Sequence, residues 1–113
     1  MQSGLTDLGG NTTDTLFENT GIKQKVIDEI IELAKQYDVH KVILFGSRAR
    51  GDYRERSDID IAFSGGKAAA FILDVDEKTS TLLEFDIIDL DKPVQSGLLD
   101  SIMNEGKVLY EKV

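Results

Sequence analysis

Apolar residues first recur at helical spacing over residues 21–38. Ile22, Val26, Ile30, Leu33, Ala34 and Tyr37 fall three or four apart, while Lys23, Lys25, Glu29, Glu32 and Lys35 occupy much of the other face. The pattern predicts an amphipathic helix, with Asn19 or Thr20 able to cap its start. KVILF at 41–45 is an apolar run too short for a typical helix and stops at Gly46, which predicts a strand. DIDIAF at 58–63 alternates strictly: Asp58, Asp60 and Ala62 share one face, and Ile59, Ile61 and Phe63 the other. Residues 67–79 are ambiguous, because FILDV reads as a short strand while the alanines before it favour a helix with Phe71, Ile72 and Val75 inward; the helix is preferred. LLEFDIIDL at 82–90 predicts a third strand, with Phe85 and Ile87 on one face and Glu84, Asp86 and Ile88 on the other. Pro93 breaks the chain. Leu98, Leu99, Ile102 and Met103 then mark a helix over 95–105, with Gly106 at its C-terminal end. VLY at 108–110 is a final strand or edge segment. The sum is a small α+β sandwich, a mixed sheet with helices packed on one face.

Residues 1–19 are rich in Gly, Thr, Ser and Asn without sustained periodicity, and are expected to be a flexible tail before one domain at 20–113. At 113 residues there is no room for a separate substrate domain. The absence of cysteine excludes a disulfide framework and thiolate metal sites. No apolar run approaches the roughly 20 residues that cross a bilayer, and no signal peptide is visible, so a soluble, cytoplasmic protein is expected. The net charge of −8 argues against non-specific nucleic-acid binding, which needs a basic surface.

Candidate chemistry is concentrated in the middle of the chain. Asp58 and Asp60 project from the same side of a strand, and Asp86 lies on the polar face of the next one. If those strands are neighbours, three carboxylates converge. Such a cluster repels itself unless a cation neutralises it. Oxygen ligands without His or Cys favour a hard ion, Mg²⁺ above all. All four arginines of the chain, Arg48, Arg50, Arg54 and Arg56, lie immediately before the Asp pair. The guanidinium fork suits phosphate oxygens. Gly46 permits close backbone approach and Ser47 adds a hydroxyl donor, with free N–H groups pointing outward if a helical turn begins there. A metal-bound nucleoside triphosphate is the simplest ligand for all three features.

Gly46-Ser47, ten intervening residues and Asp58-Ile59-Asp60 resemble the GSx10DxD signature of the DNA polymerase β-like nucleotidyltransferase superfamily. ILFGSRARG and SDIDIAF resemble its minimal nucleotidyltransferase group, EFDIIDL that group's third-carboxylate strand, and IMNEGKVLYE its C-terminal end. The resemblance covers about residues 22–111. It implies that Asp58 and Asp60 bind two Mg²⁺ ions, that Asp86 shares one and helps activate the attacking hydroxyl, and that Gly46 and Ser47 hold the triphosphate. Arg48 would neutralise phosphate charge, with Arg50 a weaker candidate. It further implies transfer of AMP from ATP, and a HEPN-domain partner whose tyrosine is the acceptor, the chain acting as antitoxin to that toxin. Larger relatives carry an extra acceptor-binding domain that this chain lacks, so a partner must supply the acceptor or complete the site. Two other readings stay open: a non-catalytic partner-binding module of the same fold, and a small-molecule nucleotidyltransferase completed by a second chain.

Each feature also has a plainer explanation. Asp-Ile-Asp can be a solvated sheet face, the arginine run a solvated loop, and Ser47 a helix cap. Glu84 rivals Asp86 as third ligand, whereas Asp89 is out of phase. His40 is expected to be an exposed turn residue and Tyr53 an ordinary loop tyrosine. Asp52 and Glu55 are expected to pair with Arg54 and Arg56.

Overall fold

The computed structural model describes Phe17 and residues 19–113. Apart from Phe17 and Asn19, the tail expected at 1–19 lies outside the described residues. Phe17 itself packs half-buried against the main core, and its N–H donates to the Ile22 carbonyl at 2.6 Å. The packed chain therefore begins before residue 20. Eight elements follow in order: α1 (Gln24–Gln36), β1 (Lys41–Phe45), α2 (Gly46–Arg50), β2 (Ile59–Ser64), α3 (Ala68–Lys78), β3 (Phe85–Asp89), α4 (Ser96–Glu105) and β4 (Lys107–Glu111).

The ambiguous segment is the helix α3, with Phe71 and Val75 fully buried and Ile72 half-buried. Thr20 does not cap α1. The helix starts after Lys23 with no side-chain cap. The Thr20 hydroxyl instead donates to the Phe17 carbonyl and accepts the Ile22 N–H, tying down the turn that feeds the helix.

The sheet order is β3-β2-β1-β4. β1 is antiparallel to both β2 and β4, while β2 and β3 are parallel, joined by the α3 crossover. Side chains alternate across the two faces. Val42, Leu44, Ile59, Ile61 and Phe63 enter the main core with the apolar stripe of α1 and with Phe71 and Val75 of α3. The Phe63 and Phe71 rings lie 5.0 Å apart, tilted, and each such buried side chain stabilises the fold by about 1.5–3 kcal/mol.

The second face differs from expectation. Ile43, Phe45 and Ala62 form a separate cluster with Ile102 of α4, so helices cover both faces rather than one. A tight turn permits this. A Cβ at Gly106 would collide with the Ile102 carbonyl and with Ile43, so only glycine lets α4 close down onto β1.

Candidate functional site

Strand pairing builds the site. Antiparallel β1 brings its C-terminal end beside the N-terminal end of β2, and parallel β3 places its own N-terminal end on the other side of β2. In register, Phe45 faces Asp60 across one ladder and Asp60 faces Asp86 across the other. Paired residues project to the same face, so Asp60 and Asp86 stand side by side. Asp58 sits one residue before β2. The topology thus pairs Asp60 with Asp86 and delivers Asp58 to the same end of the sheet, just before β2.

Gly46 follows Phe45 directly and opens α2 with φ +75°, in the left-handed region. A Cβ there would fall on the Asp60 carboxylate. The glycine is therefore required twice, by its backbone angle and by the carboxylate packed against it. The turn continues into Ser47, half-buried, whose carbonyl accepts the N–H groups of Gly51 and Asp52.

Asp58 and Asp86 are exposed, and Asp60 is half-buried. Burial, then the negative charges of Asp86 and Asp58, push the Asp60 carboxyl up to about 6; Arg50 and Arg48 oppose this. Like charges gathered in this way are the electrostatic mark of a site that a cation would relieve. The donor set is all carboxylate oxygen, which fits a hard divalent ion. Among the described residues no three such side chains close tightly enough to cage an ion unaided. Mg²⁺ typically takes one or two carboxylates and completes its shell with substrate phosphates and water, so an unclosed set agrees with that chemistry.

The two arginines expected on phosphate separate. Arg50 is exposed at the rim, bonded to Asp52 at 3.3 Å and to Glu105 of α4 at 3.1 Å, and these carboxylates hold its guanidinium above its ordinary value. Arg48 is 1% exposed. Its Nε donates to the Ser57 carbonyl, Nη1 to that of Thr20, and Nη2 to those of Arg54 and Glu55, at 2.9–3.4 Å. Its guanidinium lies 4.8 Å over the Tyr53 ring. The phosphate role expected for Arg48 is therefore corrected: backbone carbonyls occupy a head group that is out of solvent. Asp52, expected beside Arg54 or Arg56, pairs instead with Arg50.

The remaining candidates are peripheral. Glu84 is exposed and its carbonyl accepts the Ile59 N–H at 2.9 Å, extending the β2–β3 ladder; with Glu55, Arg56 and Leu82 it lines an open groove. Asp89 caps a turn, accepting the Asp91 N–H. His40 is exposed and its ring lies against Gly65. Sequence reading missed Glu105, which is 55 residues from Arg50; no local pattern signals that contact.

Comparison with known proteins agrees with this fold. The family described as "Polymerase beta, Nucleotidyltransferase" matches residues 28–113. A Methanocaldococcus jannaschii protein named as a protein adenylyltransferase is 32% identical over 100 residues, covering 78% of this chain and 98% of the relative. A toxin–antitoxin crystal structure with AMP-PNP superposes with TM-score 0.61 at 25% identity, over 76% of this chain and 73% of that one. A crystal structure of a mutant of the toxin–antitoxin MntA–HpeT shares the fold, with TM-score 0.61 at 22% identity over the same shares. Among the described residues no helix is long and apolar enough to cross a membrane. The chain belongs to the polymerase beta nucleotidyltransferase family.

Proposed function

We propose that this nucleotidyltransferase moves AMP from ATP onto a tyrosine hydroxyl of a HEPN-type toxin partner, acting as its antitoxin. The observation that carries the reading is the register placing Asp60 beside Asp86, with the Gly46 turn seated on the Asp60 carboxylate. The names of similar proteins support a protein acceptor and a toxin–antitoxin setting: one relative is named for protein adenylylation, and one structural neighbour is a toxin–antitoxin with AMP-PNP.

In this reading Asp58, Asp60 and Asp86 hold two Mg²⁺ ions. Bound there, Mg²⁺ would neutralise the carboxylates and stabilise charge on the attacking and leaving oxygens. Gly46 and Ser47 cradle the triphosphate through backbone and hydroxyl donors, and Arg50 at the rim meets phosphate charge. Asp86, exposed at the edge, orients the incoming hydroxyl and draws off its proton. The hydroxyl oxygen bonds to the α-phosphorus, the bond to the bridging oxygen breaks, and pyrophosphate leaves. The exposed carboxylates Asp58 and Asp86 leave this edge open to the side chain of a second protein.

Mixing the chain with ATP, Mg²⁺ and a HEPN-domain partner should add AMP to the partner, read by intact mass and pyrophosphate release. The Asp58→Asn/Asp60→Asn double variant should add none. A chain that binds ATP with Mg²⁺ yet leaves the partner unmodified would overturn the acceptor assignment. A chain that binds neither would overturn the enzyme reading itself.

A further inference from the structure

We infer that Arg48 is a positioning residue, a buried strut that sets the place of Asp58. The inference rests on the carboxylate site proposed above. Asp60 needs no such help, because ladders on both sides hold it: Phe45 across β1 and Asp86 across β3. Asp58 lies outside the strand, so its position follows from the connection that delivers it. That connection, residues 51–58, contains no regular element.

Arg48 grips this connection from inside. A buried guanidinium must find partners, since an unpaired charge in the interior is costly. Its hydrogen-bond partners among the described residues are carbonyls, and three of the four, from Arg54, Glu55 and Ser57, lie in the four residues before Asp58. The stack on Tyr53 holds the same stretch from a second side. The hydrogen bonds described for residues 53–57 run either to Arg48 or within the connection itself, as from the Arg54 N–H to Ser57 Oγ.

The fourth carbonyl belongs to Thr20, before α1. There Gly21, at φ +70°, leaves room for the assembly: a Cβ would overlap both the Tyr53 ring and the Arg48 guanidinium. One fork thus ties the entry to α1, the short helix α2 and the approach to β2 into one unit. Lysine would keep the charge but lose the fork, which is what reaches carbonyls from separate segments at once.

The test uses the full chain with Arg48→Lys, and with Tyr53→Leu as a milder variant in case the first does not fold. Amide exchange in 51–58 is measured against β1 and β2, and Mn²⁺ affinity by titration. We expect exchange in 51–58 to rise about tenfold or more, as loss of a charged hydrogen bond predicts, with the strands unchanged. Mn²⁺ binding should weaken about 10–100-fold, the usual effect of losing a residue that supports a ligand. Tyr53→Leu should act in the same direction. Native exchange in 51–58 would overturn the inference, as would a uniform rise across the whole chain. Weaker binding of inorganic triphosphate without metal, with native loop exchange, would also overturn it and return Arg48 to phosphate. Should the unmodified chain bind no Mn²⁺, the functional reading fails, and the exchange measurement alone decides the role of Arg48.

Discussion

Two aspartates of this small domain, Asp74 and Asp60, meet opposite fates. Asp74 on α3 is buried, accepts the Tyr37 hydroxyl and pairs with Lys78 at 3.2 Å. These partners hold its carboxyl below the usual range, the Tyr37 hydrogen bond most of all. Asp60 on β2 is half-buried; burial and the charges of Asp86 and Asp58 outweigh the opposing Arg50 and Arg48, and its carboxyl is pushed up to about 6. Asp74 is a fully compensated charge, and it joins α1 to α3. Asp60 is held in place by two ladders and left under-compensated. An acid kept in a costly state by a rigid frame is where a ligand can be bound.

Removing Asp60 should separate function from stability most sharply. Asp60→Asn should lower kcat by about 10²–10³-fold, the usual loss when one group that stabilises the transition state is removed. The same change should raise Tm without metal, because a repelling charge is gone. A fall in Tm would break the contrast.

Gly46→Ala tests whether the frame matters as much as the charge. The new Cβ collides with the Asp60 carboxylate, and the left-handed backbone adds about 1–2 kcal/mol of strain. Divalent-ion binding and Tm should both decline. Calorimetric titration and a thermal melt on one sample would show it.

Asp74→Asn should do the reverse of Asp60→Asn. It should lower Tm by loosening Tyr37 and Lys78 and leave divalent-ion binding as it was. A large change in ion binding would mean the two sites are coupled through the core.

The smallest effect is the pH dependence, where the two acids have opposite signs. Asp60 holds its proton more tightly folded than unfolded, its ordinary value being 3.8. Stability without metal should therefore fall as pH rises from about 4 through 6 and then level off. Asp60→Asn should flatten that slope, and saturating Mg²⁺ should remove it. Asp74 is depressed, so its contribution is complete above its ordinary value of 3.8 and is lost as pH falls through its lower folded value. Chemical denaturation across pH 3–8 would separate the two.

Much of the fold was legible locally. KVILF became β1 with both ends where the apolar run begins and stops, and the alternation of DIDIAF became β2 with Ile59, Ile61 and Phe63 buried as its parity requires. The alanines of 68–70 tipped an ambiguous segment to helix. The short stripe Leu98–Met103 marked α4 but not the face it would cover. An amphipathic stripe reports that a helix has a partner and says nothing of which side of the sheet supplies it.

The arginines show the same boundary at the site. Arg48 and Arg50 are two residues apart in a polar, glycine-flanked run, and both suit phosphate equally by type. One turned inward to carbonyls from separate segments, and the other stayed at the rim with Asp52 and Glu105. The short helix α2 was legible only as a conditional turn, and α3 only as the preferred of two readings. The sequence alone determined the order of β1, β2 and β3 with α1 and α4, the shared parity of Asp58 and Asp60, and the spacing from Gly46-Ser47 to the Asp pair. Those properties depend on residues a few positions apart, within reach of backbone periodicity. The tertiary structure decided that β3 lies parallel beside β2, that α4 covers the second face, and that Arg48 is buried. Those outcomes depend on partners far away along the chain, which only packing brings within a hydrogen bond's length.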